Sequence, residues 1–338
     1  MFFFLTLVIE VFTPSISSTK AVSLYHKMLN KPQVYACFEA VTATWQYIVA
    51  DPESRDAVVI DSVLDFNPAS NHISTETADS LLLLISKNNL TITRILETHA
   101  HADPLTAANY LQQLLLDQRQ PRPDVCIGAR IIEVQSTFAS KYGIETSELA
   151  NVFDKLFQDN EEFSIGNLKA KVLHLPGHTP DHVGYLIGEC VFTGDSIFNP
   201  DVGSARADFP GGSATALYNS TKILLDLPEH YRLYVGHDYP PDSRARNAEG
   251  GKHKPYTTVK EQNEENKHVK SGTTEDEFVK FRLERDSMLG EPKLLHQALQ
   301  FNIRAGKLPR ASTSHDMFLH VPIKASKEVL EIMQRPKN

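Results

Sequence analysis

The stretch Leu96-Glu97-Thr98-His99-Ala100-His101-Ala102-Asp103-Pro104-Leu105-Thr106 decides how this chain is read. Two histidines two residues apart, with an aspartate two further on, cannot share a helix face, where neighbours sit three or four apart. In an extended or looped segment, side chains at i, i+2 and i+4 line one side. The preceding residues, 90–96, alternate and are rich in β-branched types, which predicts a strand. Residues 105–116 are apolar-rich and predict a helix. The motif therefore falls on a strand-to-helix turn, at the carboxyl end of a strand, where open α/β sheets place their sites. Imidazole and carboxylate groups held this close suit a metal ion.

Working outward, strands are predicted at 34–38, 44–50 and 57–61, a polar loop at 67–75 and a helix at 78–87. Beyond the motif come a strand at 125–128, a helix at 130–142 and a hairpin at 163–168 turning on Gly166-Asn167. A strand at 169–175 ends at Pro176-Gly177-His178-Thr179-Pro180. Strands follow at 183–187 and 190–193, the second ending at Gly194-Asp195. After a helix at 214–225, a strand at 232–235 ends at Gly236-His237-Asp238-Tyr239. Four strands thus end in potential ligands: His99/His101/Asp103, His178, Asp195 and His237. Each lies beside glycine or proline turn residues, and together they converge on one edge of a layered α/β structure. His174 and His182 flank the second ligand region and read as supporting or surface residues. Residues 242–254 read as a charged loop, and 259–267 and 274–289 as polar-faced helices whose charge is a solvated face. From 307 the chain reads as coil with a short amphipathic end at 326–334.

The composition bounds the rest. The 338 residues can bury a sizeable core in one large domain or two smaller ones. The chain is 41% hydrophobic and 22% charged, ordinary for a globular protein. A net charge of −8 without a long basic block argues against nucleic acid as a partner. Three widely spaced cysteines, Cys37, Cys126 and Cys190, make neither a disulfide framework nor a C-x-x-C pair. The apolar start, Met1-Phe2-Phe3-Phe4-Leu5-Thr6-Leu7-Val8-Ile9-Glu10, is too short to span a bilayer and lacks the basic region of a secretory signal. The expectation is an amino-terminal extension over 1–30, a catalytic domain over 31–310 and a tail over 311–338. Secretion is not favoured, no membrane partner is expected, and the compartment is read as cytoplasmic or mitochondrial. No glycine-rich phosphate loop is present: Gly211-Gly212-Ser213 lacks the lysine and spacing.

The ordered set Thr98-His99-Ala100-His101-Ala102-Asp103, Pro176-Gly177-His178-Thr179, Thr193-Gly194-Asp195 and Gly236-His237-Asp238-Tyr239 resembles the metallo-β-lactamase superfamily, from about 34 to about 309. The resemblance implies a four-layer αβ/βα sandwich, an α/β fold with the metal site at its open edge and, here, a helical C-terminal extension. Within the superfamily the chain is similar to the persulfide dioxygenase branch, whose members resemble glyoxalase II. The supporting residues are Glu97 to Asp103, Gly203-Ser204-Ala205-Arg206-Ala207-Asp208-Phe209, His237-Asp238-Tyr239 and Asn302-Ile303-Arg304-Ala305-Gly306. In that branch one non-haem iron is held by residues matching His99, His178 and Asp195, and residues matching Arg206 and Tyr239 lie by the glutathione moiety. One departure stands out: the superfamily motif reads H-x-H-x-D-H, and here its last position is Pro104, which has neither a ligating atom nor an amide hydrogen. A second ion held by Asp103 and His237 would be held weakly.

Two chemistries remain open on these residues. In the first, His99, His178 and Asp195 form the two-histidine, one-carboxylate face of non-haem Fe(II) oxygen chemistry, with one Fe(II) per chain. The reaction would oxidise the outer sulfur of glutathione persulfide, or a related thiol persulfide, to sulfite and release the thiol. Arg206 would pair with a substrate carboxylate, because its planar fork suits that geometry. Tyr239 would donate a hydrogen bond. In the second, His99, His101 and His178 form a zinc site, with one or two Zn²⁺, that activates water against a thioester, lactone or lactam. Asp103 would act as base or orient that water. Both take a small-molecule substrate, and a homodimer is left open.

Overall fold

The computed structural model describes residues 31–247, 253–312 and 316–327, together with 329, 333 and 334. The expected extension over 1–30 and much of the amphipathic end over 326–334 lie outside these residues.

Two six-stranded sheets face one another. The first runs in the order β1 (Gln33–Glu39), β2 (Thr44–Ala50), β3 (Asp56–Ile60), β6 (Thr91–Leu96), β8 (Asp124–Gly128) and β9 (Lys155–Phe157). The second runs β10 (Glu162–Ile165), β11 (Leu168–His174), β12 (Val183–Ile187), β13 (Cys190–Phe192), β14 (Arg232–Tyr234) and β15 (Tyr256–Thr258). In the first sheet the hairpin β1–β2–β3 is antiparallel, and β3, β6, β8 and β9 are parallel. Parallel neighbours require crossovers, and the helices supply them.

The period-two rule sorts the side chains into layers. On β2, Tyr47 and Val49 point into the space between the sheets with Val58 and Ile60 of β3, meeting Val172, Tyr185 and Phe192 of the second sheet. Ile48 and Ala50 point the other way, with Ala57 and Val59, beneath α1 (Glu76–Lys87), α2 (Ala108–Asp117) and α3 (Ile131–Tyr142). The outer face of the second sheet, with Leu173, Val191 and Leu233, is covered by α4 (Ala214–Leu225), α6 (Val259–Glu265) and α7 (Glu275–Asp286). Every residue of β2 is buried, as a strand covered on both faces must be. The four-layer αβ/βα sandwich is therefore the observed fold.

Several elements differ from the sequence reading. The stretch expected as loop over 67–75 holds β5 (His72–Ser74), which pairs with the unpredicted β4 (Val63–Asn67); β4 in turn pairs with β7 (Leu105–Thr106) in a three-stranded sheet. The helix expected from 105 starts at Ala108, because Leu105 and Thr106 pair with β4 and the Thr106 hydroxyl accepts from the Ala108 amide at 3.0 Å. The charged loop expected over 242–254 contains α5 (Asp242–Asn247). The edge strands β9 and β15 are three residues long, too short for a periodicity signal. α8 (Leu295–Asn302) matches none of the helices predicted by residue range, although a helical C-terminal extension is expected, and it packs on β7.

Candidate metal centre

The ligand candidates gather where the two sheets meet. The Trp45 amide donates to the Gly236 carbonyl at 2.8 Å, and Thr44 bridges to His237, so the strand ends of both sheets are tied together at this edge. One ligand atom from each of His99, His178 and Asp195 lies within 4.8 Å of the others, and all three residues are buried.

Each of the three is aimed by a partner on its other atom. His99 Nδ1 lies 3.0 Å from the Thr98 hydroxyl, which itself donates to Asp61 Oδ2 at 2.9 Å. With the hydroxyl proton committed to Asp61, His99 must donate from Nδ1, leaving Nε2 as a free base. His178 Nδ1 donates to the Arg206 carbonyl at 2.8 Å, again freeing Nε2. Asp195 accepts from His237 Nδ1 on Oδ1 at 2.8 Å, and its Oδ2 lies 3.7 Å from His178 Nε2. Such outer partners fix tautomer and direction in metal sites. Burial, reinforced by the charges of the neighbouring histidines, holds His99 well below the usual range and so neutral. Burial alone would raise Asp195, but the charge and hydrogen bond of His237 outweigh it and hold the carboxyl low. Two unprotonated nitrogens and one carboxylate oxygen fit a divalent transition metal.

His182, read from sequence as a supporting or surface residue, is fully buried behind this set. Its Nε2 accepts the Asp195 amide at 2.9 Å, which requires the neutral ring, and burial pushes its pKa down to about 3. Gly194 allows this approach: a Cβ there would lie 2.7 Å from His182 Nε2 and 2.6 Å from Thr98 Oγ1.

His101 turns elsewhere. Its ring centroid is 4.0 Å from that of His99, but its Nε2 faces Asp61 Oδ1 at 3.1 Å and Glu97 Oε2 at 3.9 Å. Burial opposes a charged ring here, yet the Asp61 contact and the Glu97 charge raise it to about 9. Asp61, Glu97 and His101 form a second buried group within 4.8 Å. The carboxylates are already engaged: Thr98 donates to both Asp61 oxygens, and the Thr106 hydroxyl donates to Glu97 Oε1 at 2.6 Å. Among the described residues, neither His101 nor the pair Asp103 and His237 joins the His99 group. Asp103 instead lines the cleft with Tyr239, and burial together with the Asp103 charge holds the Tyr239 phenol well above its usual range.

From His178 and Asp195 a cleft of about 700 Å³ leads outward. Asp103, Arg206 and Tyr239 line it near the ligands, and Lys267, His268 and Arg285 line its far part. Arg206 is less free than the sequence reading expected. Nε and Nη2 donate to the two oxygens of Asp208 at 2.5 Å each, and Nη1 donates to the Gly290 carbonyl at 2.9 Å, so one N–H on each Nη remains for a ligand. The charge on α7 also needs correcting as a purely solvated face. Arg282 and Asp286 are buried; Arg282 donates to the carbonyls of Ser204 and Ala205, and Asp286 accepts the Ala207 amide at 2.9 Å. This helix thereby staples the loop whose Arg206 carbonyl orients His178.

Residues 41–237 match the family model described as the metallo-beta-lactamase superfamily. The chain belongs to that superfamily. Glyoxylase B2 of Dictyostelium discoideum is 41% identical over 304 residues, covering 89% of this chain and 100% of that protein. Persulfide dioxygenase ETHE1, mitochondrial, of Homo sapiens is 29% identical over 205 residues, covering 60% of this chain and 66% of that one. The crystal structure of ETHE1 from Myxococcus xanthus superposes with a TM-score of 0.62 at 29% identity, covering 81% of this chain and 100% of that chain. This superfamily member is thus a metalloenzyme fold with a distant persulfide dioxygenase relative.

Sequence reasoning missed Asp61, Thr98, Glu97 and the Lys267/His268/Arg285 wall as parts of the site. Asp61 could have been found, because it follows a buried strand just as the other ligands do. The wall could not: Lys267 and His268 reach the cleft through contacts with Pro200 and Ser204, and Arg285 through the packing of α7, all of them long-range in sequence. No helix among the described residues is long and apolar enough to cross a membrane.

Proposed function

We propose that the chain is a mononuclear iron dioxygenase acting on glutathione persulfide or a related thiol persulfide. The observation that carries this is the ligand set: two imidazoles and one carboxylate converge, while the third motif histidine is paired with Asp61 and Glu97. That set leaves open positions and is the arrangement of non-haem Fe(II) oxygen chemistry. His99, His178 and Asp195 would hold the ion, which when bound supplies the redox chemistry and the open face for sulfur and dioxygen. Dioxygen is the four-electron oxidant and supplies two oxygens, a water supplies the third and two protons are released; the outer sulfur leaves as sulfite and the thiol is released.

The chain's own residues do the rest. The cleft has room for a tripeptide-sized thiol. Arg206 offers its remaining N–H groups to one carboxylate. Lys267 and Arg285, which have no ion-pair partner among the described residues, give the far part of the cleft an uncompensated positive charge suited to another. Tyr239 and Asp103 present a hydroxyl–carboxylate pair at the ligand end. A cytoplasmic or mitochondrial setting fits this substrate.

The alternative is zinc-dependent hydrolysis of a thioester, lactone or lactam with Asp103 orienting water; it would require His101 to leave its carboxylates. The test is elemental analysis of anaerobically purified protein, with oxygen uptake followed on glutathione persulfide. About one iron per chain and persulfide-dependent uptake, as a mononuclear site requires, is the expected result. Zinc without uptake, and turnover of a thioester instead, would overturn it.

A further inference from the structure

The loop 101–106 presents Asp103 to the cleft and is paired to β4 at Leu105 and Thr106, yet over 101–104 little in the loop itself holds it in place. It is neither helix nor strand until β7 begins at Leu105. Pro104 has no amide to donate, and the carbonyls on either side of Asp103 must find partners elsewhere. They find one side chain. Asn302 Nδ2 donates to the His101 carbonyl at 2.8 Å and to the Pro104 carbonyl at 2.9 Å, and Asn302 Oδ1 accepts the Thr106 amide at 2.8 Å. Both amide hydrogens and the oxygen are used, and the residue is 4% exposed.

Asn302 is itself firmly mounted. It ends α8, and the turn after it lies against the loop: a Cβ on Gly306 would come 3.0 Å from the Thr106 carbonyl. Gln135 donates to the Ile303 carbonyl at 2.9 Å, and Arg304 donates to the Gln300 carbonyl at 2.6 Å and to Glu148 at 3.2 Å. The clamp also reaches the buried carboxylates, since the Thr106 it holds donates to Glu97. By contrast, none of these bonds involves His99, His178 or Asp195.

We propose that Asn302 is a positioning residue: one amide from the far end of the chain holds the 101–106 loop so that Asp103 lines the ligand end of the cleft with Tyr239. The turnover part of its test rests on the dioxygenase reading; the exchange part does not. A shift of a few tenths of an ångström in Asp103 would leave the metal ligands in place but spoil the geometry at the reacting end.

The experiment compares Asn302→Ala and Asn302→Asp in the full chain, the second keeping the size and one acceptor but placing a carboxylate against two carbonyls. Hydrogen–deuterium exchange, metal content and oxygen uptake on glutathione persulfide are measured together. Faster exchange in the peptide spanning 99–107, unchanged exchange over 175–199, full metal content and a fall in kcat on the order of tenfold are expected. Asn302→Ala should add nothing to the loss already caused by Asp103→Asn, because both act through one carboxylate. Exchange that rises evenly through the domain, or stays unchanged around the loop, would overturn the clamp, as would additive losses in the double variant. If the wild-type chain consumes no oxygen, the dioxygenase reading fails and the exchange pattern alone decides the clamp. If Asn302→Asp does not fold, Asn302→Ala carries the same comparison.

Discussion

His237 Nδ1 donates a 2.8 Å hydrogen bond to Asp195 Oδ1, and that bond leaves Oδ2 as the oxygen facing His178. A strand-end histidine expected at most to hold a weak second ion thus fixes the orientation of the Asp195 carboxylate. Its Nε2 has no hydrogen-bond partner among the described residues. His237→Ala should weaken metal retention by about 10–100-fold while keeping the three ligands, the range typical of a lost outer partner. Competition against a graded chelator series measures this. Complete loss of metal, or none, would remove the role.

The two motif histidines should behave differently. His99→Ala and His178→Ala should each abolish metal retention with little change in folding. His101→Ala should retain metal but lose about 3 kcal/mol in urea unfolding, because it removes the buried ion-pair partner of Asp61 and leaves that carboxylate beside Glu97, whose pKa burial and Asp61 raise to about 8. Metal loss in His101→Ala equal to that in His99→Ala would favour the zinc arrangement.

The far part of the cleft predicts a substrate charge. Neutralising it with Lys267→Met and Arg285→Met should raise KM for glutathione persulfide on the order of tenfold, with kcat little changed, since uniform binding is what is lost. The wild-type KM should rise with ionic strength and the double variant's should not. A salt-independent wild-type KM would remove these residues from substrate binding. Arg206→Ala should act on KM as well, with metal content unchanged.

His268 gives a pH prediction away from the metal ligands. Burial, with the charges of Lys267, Arg282 and Arg285, pushes its pKa down to about 3 from an ordinary 6.5. Its Nδ1 accepts the Ser204 amide at 3.0 Å, which also requires the neutral ring. Between pH 6.5 and 3 the unfolded chain binds a proton that the folded chain does not. Its contribution to stability is therefore complete above pH 6.5 and is lost as pH falls through that window. His268→Gln should shallow the acid limb of the stability–pH curve by roughly one proton. Urea unfolding at half-unit pH steps reads that slope; an unchanged limb would mean the ring protonates freely when folded.

Much of the architecture was legible because alternation is strict where both faces are covered. Tyr47 and Val49 face one layer and Ile48 and Ala50 the other, and a one-residue slip would exchange them. The elements missed were those whose existence depends on partners. β9 and β15 are held at sheet edges, β7 forms because Val63 and Leu64 of β4 meet Leu105 and Thr106, and β5 because Asp65, Phe66 and Asn67 of β4 meet Ser74, Ile73 and His72. The charged helix α7 was read as solvated because its polar residues outnumber its apolar ones. Its stripe of Phe278, Arg282 and Asp286 is buried all the same, since Arg282 and Asp286 satisfy each other and the 204–207 backbone.

By itself the sequence determined the layered α/β fold, the superfamily and the short list of residues at the strand ends, because period-two burial and turn residues are local properties. Only the tertiary structure decided what each of those residues does. A histidine at a strand end joins the candidate ligand set, donates to a carboxylate of that set or pairs with buried carboxylates according to which groups lie behind it. For His101 those groups are Asp61 and Glu97; for His237 it is Asp195; for the loop 101–106 it is Asn302. Except for Glu97, each of these lies tens to hundreds of residues away along the chain, and no local pattern records which of them will be near.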